Sequence, residues 1–154
     1  MNLSYDIFAN TTESSTPCVS GFSVSEQGVI EQALGILKRR LLVGEAFTAP
    51  KAVKHFCQLQ IAHEPDEYFC VLYLNSQHRL IAFERLFRGT VDAASVYPRV
   101  VVRRALELNA AAVIFTHNHP SGETAPSNAD IRITERLKTA LDMVDVRVLD
   151  HIIV

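Results

Sequence analysis

No apolar run in these 154 residues approaches the roughly 20 needed to cross a bilayer, so no membrane span is expected. The start, Met1-Asn2-Leu3-Ser4-Tyr5-Asp6, lacks the basic residues and the apolar stretch of a secretory leader, and the expected address is the cytoplasm. Cysteine is scarce: Cys18, Cys57 and Cys70 are odd in number and far apart, with no Cys-x-x-Cys pair. That pattern excludes a disulfide scaffold and a cysteine-built zinc framework. Cys70, inside an apolar run, reads as a small buried hydrophobe. Neither charge sign dominates, since 15 Lys and Arg oppose 17 Asp and Glu. The global basic footprint of a nucleic-acid binder is therefore missing, and Arg85, Arg88, Arg103 and Arg104 are expected on solvated faces. No internal repeat is present.

What is there suffices for a compact domain, with 48% apolar and 21% charged residues. Residues 1–22, rich in Ser, Thr and Asn, read as a flexible tail. Residues 23–46 hold a helix in which Val29, Ile30, Ala33, Leu34, Leu37 and Leu41 recur at helical spacing. Lys38-Arg39-Arg40 suits its C-terminal dipole, and Gly44 is its stop. Pro50 fits the first turn of a second helix carrying Val53, Phe56, Cys57 and Ile61. Tyr68 to Leu74 reads as a strand, joined through Asn75-Ser76-Gln77-His78 to a second strand, Arg79 to Leu86. A third helix is expected from about Pro98 to Leu108. The strand Ala111 to Thr116 follows, then a helix after Pro126 with Ile131, Leu137, Leu141 and Val144 on its apolar face. Val146 to Leu149 and Ile152 to Val154 supply late strands. Alternating helices and strands after an early hairpin predict an α/β fold, a mixed sheet flanked by helices.

The chemistry concentrates in Thr116-His117-Asn118-His119-Pro120-Ser121-Gly122 and the Ser127-x-x-Asp130 that follows. His117 and His119 emerge at the end of a buried strand, and side chains two apart on extended backbone project the same way. Pro120 and Gly122 turn the chain, so Asp130 falls in the first turn of the next helix. Two neutral imidazoles and one carboxylate can hold Zn2+ and leave a fourth position for water, which suggests catalysis rather than structure. Ser127-x-x-Asp130 is also a helix capping box, and the hydroxyl can cap while the carboxylate faces the cleft. His151 reads as a structural histidine rather than one that orients a ligand by hydrogen bonding, and it stays outside the ligand set. His55, His63 and His78 have no partner at ligand spacing and read as surface or capping residues.

The spacing His117-x-His119, seven residues, Ser127, two residues, Asp130 resembles the signature of the JAMM (JAB/MPN) metalloproteases. Leu86-Phe87-Arg88-Gly89-Thr90, Tyr97-Pro98-Arg99, Arg103 to Ala110 and Leu149 to Val154 sharpen the likeness to the JAB domain of the bacterial RadC family, over residues 47–154. The resemblance implies a three-layer, cytidine-deaminase-like JAB/MPN architecture and a zinc-dependent hydrolase of peptide or isopeptide bonds, acting on a peptide or protein substrate. It also implies an upstream glutamate that takes a proton from the attacking water and returns it to the leaving amine. Glu64, Glu67 and Glu84 are candidates. Asp66-Glu67-Tyr68-Phe69 resembles the family's glutamate-bearing segment, so Glu67 is assigned and Glu84 held in reserve. Ser127, by the same resemblance, donates a hydrogen bond to the developing oxyanion.

A reading of another class is a non-catalytic or DNA-repair-associated accessory module of the same family. The glycine-containing hairpin of the helix-hairpin-helix region found in full-length members is not apparent, and Ser25 to Leu42 resembles only the helix before the JAB domain. Nucleic acid is therefore not favoured as a partner. Relatives continue past the counterpart of Val154, and an edge strand left unpaired there could join another chain, so a homo-oligomer is among the expectations.

Overall fold

The computed structural model describes residues 23–43, 50–89 and 96–154, with side chains of the first helix described as far as residue 36. The expected tail, the Gly44 stop, the 46/47 boundary and the side chains of Leu37, Lys38, Arg39, Arg40 and Leu41 lie outside the described residues. Four helices and four strands follow one another as α1 (Val24–Val43), α2 (Pro50–Ile61), β1 (Tyr68–Leu74), β2 (Leu80–Arg88), α3 (Pro98–Glu107), β3 (Ala112–His117), α4 (Asn128–Asp142) and β4 (Arg147–Ile153).

The strands form one mixed sheet in the order β2-β1-β3-β4, with β1 antiparallel to both β2 and β3, and β4 parallel to β3. Its two central strands are buried along nearly their whole length because helices cover both faces. Alternation sorts their side chains. Cys70, Leu72, Leu74, Ala112 and Ile114 meet Val53, Phe56, Cys57 and Ile61 of α2 on one face. Phe69, Val71, Tyr73, Val113 and Phe115 meet Val101 and Ala105 of α3 and Leu137 and Leu141 of α4 on the other. The result is the α/β/α sandwich of the JAB/MPN architecture. Each fully buried large side chain, such as Phe56 or Leu137, contributes about 1.5–3 kcal/mol by leaving water.

Two expectations need correction. The inward stripe of α4 is Asp130, Thr134, Leu137 and Leu141, at spacings of four, three and four. Ile131 lies one position round and is 51% exposed. An apolar-face reading chose the isoleucine because the true inward positions of the first turns are polar. The late strands are also a single strand, running through Asp150 and His151. Its pairing shifts by one residue after Val113↔Val148, so that Ile114↔Asp150 and Phe115↔His151. This bulge at Leu149 reverses the side-chain parity. Without it, Asp150 rather than His151 would stand beside Phe115 on the α4 face.

Candidate metal centre

The site forms where β3 ends against the first turn of α4. His117 continues the Val113-Phe115 face of β3, which is why it looks towards α4, and it is only 1% exposed. The chain stays extended beyond it, with Val154 N–H donating to His117 O at 3.0 Å and His119 N–H to Val154 O at 3.1 Å. His119 therefore projects from the same face. Gly122 then takes φ +77, a left-handed conformation that glycine adopts freely, and its N–H closes a turn on His119 O at 2.8 Å. The turn brings the Glu123 carbonyl 2.5 Å from His119 Nδ1. A carbonyl can only accept, so His119 carries its proton on Nδ1 and a neutral ring presents a lone pair at Nε2.

Ser127 caps α4. Its hydroxyl accepts from Asp130 N–H at 3.2 Å, while Asp130 Oδ2 accepts from Ser127 N–H at 2.8 Å and from its hydroxyl at 2.6 Å. The cap leaves the carboxylate facing inward, with Oδ1 3.3 Å from His117 Nε2 and Oδ2 3.5 Å from His119 Nε2. The two Nε2 atoms are 2.9 Å apart. Capping and an inward-facing carboxylate thus coexist.

The ligand atoms of His117, His119 and Asp130 all lie within 4.8 Å of one another. Tetrahedral zinc, about 2.0–2.1 Å from each donor, would space them about 3.3 Å apart, so small movements would seat a divalent ion. The donor chemistry fits as well: a lone pair on His119 and a carboxylate converge with His117, a set of donors suited to a divalent cation. Burial, then the neighbouring His151, holds the His117 imidazole down to about 4 against the opposing pull of Asp130. Burial likewise holds His151 at about 4. His117 is consequently neutral at neutral pH, as a ligand must be. Burial pushes the Asp130 carboxyl up, but the Ser127 hydroxyl and amide, with both imidazoles, more than reverse this and leave it below the usual range.

The three glutamate candidates separate. Glu64 is paired with Arg85 at 2.7 Å, and Glu84 accepts from Arg104 at 2.6 to 2.9 Å. Glu67 immediately precedes β1, its carbonyl accepting from Gly89 N–H at 2.7 Å. Phe69 pairs with His117 across the sheet, their rings 6.3 Å apart, and Glu67 lies two residues before Phe69. Alternation gives Glu67 a backbone position on the histidines' face.

Two residues near the site went unread in the sequence. Asn118, between the two histidines, faces away from them and is 1% exposed. Its Oδ1 accepts from Tyr68 N–H at 2.8 Å, and its Nδ2 donates to Asp66 O at 2.9 Å and Glu64 O at 3.3 Å. It thereby clasps the segment that carries Glu67. The available signal was parity: a polar residue between two inward histidines must turn into the opposite interior. Thr134 hydrogen-bonds His151, which in turn lies 2.8 Å from His117. Of the arginines expected on solvated faces, Arg88 and Arg103 are exposed and Arg85 and Arg104 part-buried, and all four are paired: Arg85 with Glu64, Arg88 with Asp66, Arg103 with Glu107, and Arg104 with Glu84. No described helix is long and apolar enough to cross a membrane.

A family model described as RadC-like JAB domain matches residues 47–154. A UPF0758 protein of Vibrio cholerae is 56% identical over 129 residues, covering 84% of this chain and 82% of the relative. A UPF0758 protein of Methylibium petroleiphilum is 59% identical over 126 residues, covering 82% of this chain but 57% of its own length. Another, from Cellvibrio japonicus, is 53% identical over 131 residues, 85% of this chain and 58% of its own length. Fold, matched span and relatives agree: the chain belongs to the RadC-like JAB-domain family.

Proposed function

We propose that this chain is a cytoplasmic, zinc-dependent hydrolase of peptide or isopeptide bonds, with His117, His119 and Asp130 as ligands, Glu67 as acid and base, and Ser127 as oxyanion donor. The observation that carries the reading is the convergence of two imidazole nitrogens and a carboxylate, all within 4.8 Å, with His117 buried and His119 and Asp130 part-exposed. A zinc ion there would acidify a water towards pKa 7 or so and polarise the scissile carbonyl. The chain's own residues do the rest. Glu67 takes the proton of the attacking water and delivers it to the departing amine, a role worth about 10²–10⁴ in rate. Ser127, whose hydroxyl here donates to Asp130, turns that proton to the oxyanion as the carbonyl becomes tetrahedral. An adjoining cleft of about 200 Å3, lined among others by Pro126, Ile131 and Ile153, offers room for substrate beside Asp130.

The test is metal content and hydrolysis measured side by side. Wild type, reconstituted with zinc, should hold one ion per chain; Asp130→Ala should lose it; Glu67→Gln should keep it. Cleavage of a bacterial peptide library, read by mass spectrometry, should appear with wild type and vanish with both variants. Wild type that takes up no stoichiometric zinc would favour the accessory-module reading instead.

A further inference from the structure

We propose that Thr134 and His151 form a proton-ordered chain that fixes the tautomer of His117 and presents its Nε2 lone pair to the metal position. The inference rests on the reading of His117 as a ligand and adds two positioning residues, both on the wall of the cleft beside Asp130, that act through His117 rather than as ligands themselves.

The polarity of the chain follows from the one member that cannot donate. Thr134 Oγ1 lies 2.5 Å from the Asp130 carbonyl, which only accepts, so the single hydroxyl proton is committed there. Towards His151 Nδ1, 2.6 Å away, the same oxygen must then accept. His151 therefore carries its proton on Nδ1. Its ring is packed edge-on against Phe69 and Phe115, at 5.5 and 5.7 Å, surroundings that disfavour a charged imidazole. A neutral His151 protonated on Nδ1 has a lone pair on Nε2, and the 2.8 Å contact with His117 Nδ1 must be donated by His117. His117 is left with a lone pair on Nε2, the atom that faces His119 and Asp130.

The chain also closes on itself. It starts at the backbone of Asp130, passes through the inward stripe of α4 and through β4, and ends at the other side of the same donor cluster. Helix position and imidazole orientation are thereby linked. Phe69, whose ring lies nearly parallel to that of His117 with an interplanar angle of 13°, holds the imidazole plane. The β4 bulge is what brings His151 to this face. Hydrogen bonds of this kind orient ligating histidines and raise their basicity.

The rival arrangement places the His117 proton on Nε2, shared with His119 Nε2 at 2.9 Å, and the two are distinguishable without metal or activity. Long-range ¹H–¹⁵N correlation on metal-free wild type at neutral pH should show His117 and His151 both protonated on Nδ1. An Nε2-protonated His117 overturns the proposal. Zinc affinity, measured by competition with a chromogenic chelator, should weaken about tenfold to a hundredfold in His151→Phe, which keeps a flat ring without an acceptor. His151→Gln, whose amide both accepts and donates, should recover most of the loss, an outcome that mere filling of space would not produce. Thr134→Val, nearly isosteric, should weaken zinc and return His117 to a mixture of tautomers even if His151→Phe fails to fold. Folded His151→Phe or Thr134→Val binding zinc as tightly as wild type would refute the chain. Should wild type bind no zinc, the ligand assignment fails, while the metal-free tautomer spectrum still decides the proton order.

Discussion

Replacing Asn118 by alanine tests whether one buried amide holds the Glu67-bearing segment to the strand that carries His117. The side chain makes three hydrogen bonds, to Tyr68 N–H, Asp66 O and Glu64 O, at 2.8, 2.9 and 3.3 Å. At about 1 kcal/mol each, with partial rescue by water because the 64–68 segment is only half-buried, their loss should cost about 2–3 kcal/mol. For a chain of this size that lowers Tm by about 10 °C. The measurement is urea and thermal unfolding of metal-free protein in chelator, so that bound ion does not mask the change. Asn118→Asp sharpens the test. It keeps an acceptor for Tyr68 but sets a second oxygen against two carbonyls, with Glu64 and Asp66 close by, so it should be no more stable than the alanine variant. Alanine within about 1 kcal/mol of wild type, or aspartate as stable as asparagine, would refute the clasp.

Three other outcomes are expected. Leu137→Ala, at a fully buried position where α4 meets the sheet, should cost about 2–5 kcal/mol in urea unfolding, and a loss under about 1 kcal/mol would contradict that packing. Cys57 and Cys70 are buried, and burial pushes both thiols up to about 12. Iodoacetamide should leave both unmodified at pH 8 until urea unfolds the chain, and stoichiometric native labelling would be inconsistent with this. In metal-free protein, His117 and His151 titrate near 4 instead of 6.5, so the unfolded chain binds protons first as the solution is acidified. Their contribution is complete above about pH 6.5 and is lost as pH falls towards 4, at about 3 kcal/mol per histidine as an upper bound; an unchanged urea midpoint from pH 7.5 to 4.5 would exclude it.

Much of the architecture is legible from local pattern. The β1 run, the hairpin after it, the α2 residues Val53, Phe56, Cys57 and Ile61, and the helix from Pro98 all appear where periodicity and turn chemistry place them. Local rules suffice there because burial on both faces or on one helical stripe leaves a direct imprint on composition. The donor set was legible for a similar reason: His117, His119 and Asp130 lie within fourteen residues on a strand, a turn and a helix start. Short connections leave few ways to arrange such elements.

The sequence by itself determined which residues supply lone pairs and carboxylate, and which helix faces are apolar. Tertiary structure decided what surrounds them. His151 is 34 residues from His117 and meets it only because β4 pairs parallel to β3 with a one-residue bulge, a parity that no local propensity encodes. Asn118 and Thr134 gained their roles in the same way, through partners on other elements, since a hydrogen bond depends on the spatial position of both atoms. The inward stripe of α4 turned polar at Asp130 and Thr134 because helical phase is set by the packing of Leu137 and Leu141, and the residues a turn earlier must follow.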